Sequence, residues 1–244
     1  MSYETQARDL GEALGLELNP IAITFSDSPD PEGSMDKQVS VCKALENTLY
    51  DKLVLNLSKE NVLCIGGKFY LGLDKLPLSV GIDIWTEYHK AFKSKKVTRW
   101  QIMKGPKPPG FWPWSKNKQK KFVVLNPLEK SNSDPHVVLL CCNPAQADRI
   151  TGLLAFTGLG PIKYYPANSI CMTVAYPHVT GKPTISFLSQ HGREMFGLKI
   201  PPGNLLVSVP YGLLRKSVEN IPYSGYGTAE TKKLTIKTMN DMLK

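Results

Sequence analysis

Four short segments place a cysteine beside small or helix-starting residues: Val41-Cys42-Lys43-Ala44-Leu45, Leu63-Cys64-Ile65-Gly66-Gly67, Cys141-Cys142-Asn143-Pro144-Ala145-Gln146 and Ile170-Cys171-Met172-Thr173. A thiolate at a helix start or in a nest of backbone N–H groups is reactive or ligates metal, whereas a thiol in an apolar core is inert. No Cys-x-x-Cys pair is present, so the local signatures of zinc ribbons, thioredoxins and ferredoxins are missing. The separations are long, and only the fold can bring these sulfurs together around zinc or an iron–sulfur cluster. The plain alternative is that the cysteines are small buried hydrophobes.

Local chemistry singles out Cys142. His136–Cys141 is an apolar, β-branched run that reads as a buried strand. Asn143 suits an N-cap, and Pro144 suits the first helical position. Cys142 is therefore expected where a strand ends and a helix begins, near the positive end of a helix dipole. Cys141 points to the opposite strand face and is expected in the core. Gly66-Gly67, just after Cys64, allows backbone N–H groups to approach a ligand. Candidate cofactor-binding residues are thus Gly66, Gly67 and Asn143, joined by Arg193. The last lies in Ser189-Gln190-His191-Gly192-Arg193, which offers N–H groups and a cation to an anion.

Nucleophilic catalysis by a thiol needs a nearby base. Of His89, His136, His178 and His191, two stand out. His178 follows Cys171 by seven residues, and His191 sits in the glycine-containing turn. A surface histidine and a helix cap are the plain alternatives, and no catalytic residue is assigned. No Gly-x-Gly-x-x-Gly follows a strand, and Walker, Gly-x-Ser-x-Gly and His-Glu-x-x-His motifs are missing.

Charge separates one segment from the rest. The chain of 244 residues carries a net +9, yet Lys90–Lys121 holds eleven of its 30 basic residues and no acidic one. Outside that window, 19 basic residues face 21 acidic ones, a net of −2. Phe92, Trp100, Phe111, Trp112 and Trp114 interleave the cations, a pattern also found in nucleic-acid binders. Prolines and glycines at its centre and the lack of a nucleic-acid-binding signature disfavour that reading. A lid over a small anionic ligand accounts for the same residues.

Five cysteines, an odd number in a chain too large to need staples, point to a reducing, cytoplasmic setting with free or metal-bound thiols. No apolar stretch approaches the ~20 residues needed to cross a bilayer. Met1–Thr5 lacks the basic and apolar regions of a secretory leader.

The elements that must position these residues alternate without strict βαβ spacing. Helices are expected over Tyr3–Gly15, Ala44–Leu53, Ile82–Lys96, Ala145–Thr157, Tyr211–Asn220 and Ala229–Leu243. A further helix over Ile170–Ala175 would run into Pro177. Strands are expected over Pro20–Phe25, Leu53–Leu57, Phe122–Leu125, Val137–Cys141, Thr184–Phe187 and Leu205–Val209. Gly105–Trp114 is too rich in proline for helix or sheet. The expected architecture is one compact α+β domain over residues 1–244, a mixed β-sheet flanked by helices, with a basic Pro/Trp-rich excursion at about 104–121.

Several segments in order carry a family resemblance. They are Leu16–Phe25, Cys42-Lys43-Ala44-Leu45, Cys64-Ile65-Gly66-Gly67 with Leu71-Gly72-Leu73, Asn126-Pro127-Leu128-Glu129, Cys142-Asn143-Pro144-Ala145-Gln146 and Gly181-Lys182-Pro183. Together they resemble the DUF169 (ArCR) family, common in archaea and anaerobic bacteria and without an assigned reaction. The resemblance runs from about residue 10 to about residue 220. It implies a pattern with cysteines at Cys42, Cys64 and Cys171, while the position of Cys142 varies. Three thiolates would suit a [4Fe–4S] cluster with one open iron, and after it zinc.

The expectation is therefore a cytoplasmic protein that ligates an iron–sulfur cluster through Cys42, Cys64 and Cys171, with Cys142 as a fourth ligand or neighbour. A small anionic substrate would meet the open metal position, and a homo-oligomer is compatible. The alternatives are a metal-free small-molecule or cofactor-binding protein with structural cysteines, and a nucleic-acid binder acting through residues 90–121.

Overall fold

The computed structural model describes residues 1–35, 38–75, 119–159, 162–167, 169–187 and 197–224. The helices expected over 82–96 and 229–243 lie outside these residues. So do His89, His191, Arg193 and all of the basic window except its last three residues.

The chain opens with α1 (Tyr3–Leu14), which Ser2 starts by accepting from the Thr5 amide and Gly15 ends in the left-handed conformation at φ 65°. Strand β1 (Ile21–Ser26) follows, then α2 (Val41–Asp51), β2 (Leu55–Ser58) and the short α3 (Ile65–Tyr70). After the basic window come β3 (Phe122–Pro127), β4 (Val137–Cys142) and α4 (Pro144–Leu154), which passes into a π-helical turn over Ala155–Leu159. The remainder is β5 (Tyr165–Pro166), α5 (Ile170–Thr180), β6 (Thr184–Ser186), β7 (Leu205–Pro210), α6 (Tyr211–Glu219) and α7 (Ile221–Ser224).

The seven strands form one mixed sheet in the order β2-β3-β1-β4-β7-β6-β5. Every pair is antiparallel except β5 with β6. The expected α+β class with a mixed, helix-flanked sheet is what the chain adopts.

Helices cover both faces, which explains why β4 (Val-Val-Leu-Leu-Cys-Cys) is apolar throughout instead of alternating. Ile21, Ile23, Phe25, Val123, Leu125, Leu139 and Cys141 face a core shared with α2 and α5. Ala22, Val138, Leu140, Cys142, Val207 and Val209 face a second core shared with α1, α4 and α6. The period of two along each strand sorts neighbouring residues into different cores.

Two helices differ from expectation in ways that bear on the cysteines. Helix α2 starts at Val41, not Ala44, because Ser40 caps it by accepting from the Lys43 amide. Cys42 therefore lies inside the first turn. Helix α5 runs through Pro177 to Thr180, where Gly181 ends it at φ 70°. Proline removes one backbone donor, but the burial of Ile170–Ala175 on all sides and the glycine cap hold the helix across it.

Candidate functional site

Cys42, Cys64 and Cys171 arrive from three separate stretches of chain. Cys42 is the second residue of α2, and Cys171 is the second residue of α5, where Ser169 caps the helix by accepting from the Met172 amide. Cys64 immediately precedes α3. Helix α5 packs on both α2 and α3, and this crossing brings the three side chains together. The Cys171 thiol neighbours both Cys42 and Cys64 and acts electrostatically on each, so it is the hub of the group.

The three sulfurs are not equivalent. Cys42 and Cys171 are buried, and Cys64 is half-buried. Donation from the Cys171 S–H holds the Cys64 thiol down to about 6 against the opposing effect of burial, helped by the N–H groups of Val41 and Gly67. The Cys64 sulfur does not cap α3 with a hydrogen bond of ordinary geometry. The N–H dipoles therefore act on it as oriented partial charges. The same contacts with Cys42 and Cys64, together with burial, push Cys171 far up, as for a thiol that keeps its proton and donates it.

Gly67 makes the arrangement possible. A Cβ on Gly67 would lie 2.5 Å from Cys64 Sγ and 2.7 Å from Val41 Cγ2, so the sulfur occupies the space that a side chain would need. Gly66 has no such constraint, since its nearest neighbour is the Tyr70 ring at 4.0 Å. Of the glycine pair expected to bind a cofactor, only Gly67 touches the sulfur site. Tyr70 adds an aromatic wall. Burial and the Cys171 sulfur raise its hydroxyl above the ordinary tyrosine value.

Cys142 does not join the group. It faces the second core, on the other side of the sheet from Cys42 and Cys171, and burial next to Cys141 pushes its thiol up to about 12. Cys141 instead faces the core that holds Cys42 and Cys171, where Asn204 Nδ2 stands 3.8 Å from its sulfur. Asn143 is likewise placed elsewhere, at the start of α4. Its Oδ1 accepts from the Gln146 amide and its amide donates to Gln146 Oε1, a closed capping box at the start of α4. The Gln146 side-chain amide in turn donates to the Gly15 carbonyl and ties α4 to the end of α1. The Asn-Pro-Ala-Gln signature is thus a structural joint and not part of the sulfur site.

His178 is not a base for Cys171. Seven residues along α5 separate them by about 10 Å. Its ring stacks on Phe25 at 4.2 Å between centroids and meets His136 edge-on at 4.6 Å. His136 Nδ1 accepts from the Phe25 amide. The two histidines pack against the Phe25 ring and each other, with His136 exposed and His178 half-buried.

Tested against a metal, the donor set fits a soft one. It offers three thiols and a cradle that Gly67 leaves open for sulfur. Among the described residues, however, no group of three or more histidine, cysteine, aspartate or glutamate side chains is disposed to hold an ion as it stands. A cavity of about 460 Å³ bounded by Val39, Leu53, Asn61 and Lys130 touches none of the three sulfurs. Among the described residues no helix is long and apolar enough to cross a membrane.

The family model described as DUF169, uncharacterised ArCR, matches residues 9–220. No curated protein and no solved structure matches the chain.

Proposed function

This chain belongs to the DUF169 family, and from that premise we propose that it is a thiolate-ligating metal protein in which Cys42, Cys64 and Cys171 hold an iron–sulfur cluster. One observation carries this reading: three cysteines that are 22 and 107 residues apart in sequence meet at Cys171. Thiols packed merely as small hydrophobes need no partner of their own kind. Two of the three also lie in the first turn of eleven-residue helices, the end at which a helix dipole stabilises negative charge.

When bound, a three-thiolate cluster supplies electron transfer and Lewis acidity at its unligated iron. The chain's own residues set the conditions for binding it. Gly67 leaves room for the Cys64 sulfur, and the Val41 and Gly67 N–H groups stabilise its charge. Leu63 and Ile65, 57% and 52% exposed, give the one reachable thiol an apolar rim. Zinc is the second ion that the donor set suits. A small anionic ligand remains the proposed substrate class, drawn by the excess of cations in the 90–121 segment.

Anaerobic purification followed by iron, sulfide and zinc analysis tests the reading. The expected result is iron and sulfide in near-equal amounts, lost in each of Cys42→Ser, Cys64→Ser and Cys171→Ser. Zinc at one equivalent in place of iron would select the second ion. A colourless, metal-free protein whose five cysteines all titrate as free thiols after unfolding would overturn both.

A metal-free binding protein is the second reading. It is favoured by the thiols' contact with one another and by the lack, among the described residues, of a group disposed to hold an ion. In that case the three serine variants lower thermal stability modestly and change no metal content.

A further inference from the structure

The unequal exposure of the three thiols has a chemical consequence that does not depend on any metal. Cys42 and Cys171 are 5% and 7% exposed, whereas Cys64 is half-buried between the solvent-facing Leu63 and Ile65. A small oxidant from solvent therefore meets Cys64 first. Behind Cys64 stands Cys171, in the core that Cys64 packs against and on a helix that packs directly against α3. Cys141 and Cys142 are buried within the cores on either side of the sheet, away from this approach.

We propose that Cys64 and Cys171 form a peroxide-reactive dithiol, with Cys64 as the attacking thiol and Cys171 as the resolving one. The Cys64 sulfur attacks one peroxide oxygen, the O–O bond breaks, and the other oxygen leaves as water with the thiol proton. Cys64 is then a sulfenic acid. The Cys171 sulfur attacks the Cys64 sulfur, the S–O bond breaks, and that oxygen leaves as a second water with the Cys171 proton. Two thiols and one peroxide thus give one disulfide and two waters. Cys42 stays reduced, because its contact is with Cys171 and not with solvent. The disulfide withdraws two of the three thiols proposed above as ligands, so oxidation and metal loading exclude each other.

The test uses the full chain, freed of metal by a chelator under reducing, anaerobic conditions and then treated with one equivalent of hydrogen peroxide. Remaining thiols are blocked with N-ethylmaleimide. Lys43, Lys59, Lys68 and Lys163 place Cys42, Cys64 and Cys171 on different tryptic peptides, so a non-reducing peptide map identifies the bond. The expected product is a Cys64–Cys171 cross-link, with free thiols falling from five to three and returning on reduction. In Cys171→Ser, Cys64 is expected to accumulate as a dimedone-reactive sulfenic acid. In Cys64→Ser, oxidation of Cys171 is expected to slow at least tenfold. A cross-link that contains Cys42, or Cys64 carried to sulfinic acid while Cys171 is still alkylated, overturns the proposal. So does a Cys64 that peroxide leaves untouched. Cross-linking in a protein that never binds metal would refute the metal reading alone, and metal binding without the cross-link would refute this one alone.

Discussion

Gly67 has no room for a side chain because the Cys64 sulfur stands where one would go, 2.5 Å from an ideal Cβ. The glycine and the thiol are two halves of one feature, three residues apart, and a change in either is felt by the other.

Gly67→Ala is accordingly expected to destabilise the protein by about 1–3 kcal/mol, the usual cost of overpacking a tight site. It should also displace the Cys64 sulfur from its backbone donors. Gly66→Ala serves as the comparison, since nothing lies closer than 4.0 Å and a helix-interior alanine is favoured by about 0.5–1 kcal/mol. Urea unfolding of both variants measures the difference. Equal stabilities would refute the close approach.

Cys64 is expected to react as a thiolate at neutral pH in the metal-free protein. A thiol held down to about 6 loses its proton as pH rises through that value, so the rate of alkylation should climb between about pH 5 and 7 and then level off. An ordinary cysteine would still be rising at pH 8. The first cause is the Cys171 S–H, so Cys171→Ala should move the midpoint upward. Iodoacetamide kinetics across pH, read on the Cys64 peptide, check both statements.

Cys142 should be silent. Burial raises its thiol to about 12, so native alkylation below pH 9 is expected to leave it unmodified. Cys142→Ala should cost about 1–2 kcal/mol of stability through lost packing. It should leave Cys64 reactivity and metal content as in the parent chain. Loss of metal in a folded Cys142→Ala protein would restore it as a ligand.

Asn143→Ala removes the side-chain half of the capping box at the start of α4 and leaves the backbone N–H that donates to Gln146 Oε1. The expected loss is about 0.5–2 kcal/mol, seen in thermal or denaturant unfolding. Metal content and Cys64 alkylation should not change. If they did, Asn143 would belong to the sulfur site after all.

Much of the architecture was legible from local signals. Ser2, Asn143-Pro144 and Gly15 mark the ends of α1 and the start of α4 with little help from the rest of the fold. The apolar runs of β1, β3, β4 and β7 matched their strands to within two residues. Helix α5 was harder to read. It is buried nearly all round, so it has no polar face to reveal a helical period, and Pro177 gives a false stop. The start of α2 was missed by one turn because Ser40, its cap, lies within a run of small polar and β-branched residues that also suits a strand.

The sulfur site divides along a physical line. What the sequence by itself determined is local: Cys42, Cys64 and Cys171 stand at helix starts, Gly67 follows Cys64, and Cys141 and Cys142 must face opposite sides of their strand. Which of those two sides holds the other cysteines is not a local property. It depends on which helical layer each face of β4 packs against, and that is set by burial summed over both cores. Strand-end chemistry favoured Cys142, yet the layer with α2 and α5 lies on the side of Cys141. Only the tertiary structure decided that Cys171 meets Cys42 and Cys64, because the contact arises where α5 crosses α2 and α3, far apart in the chain.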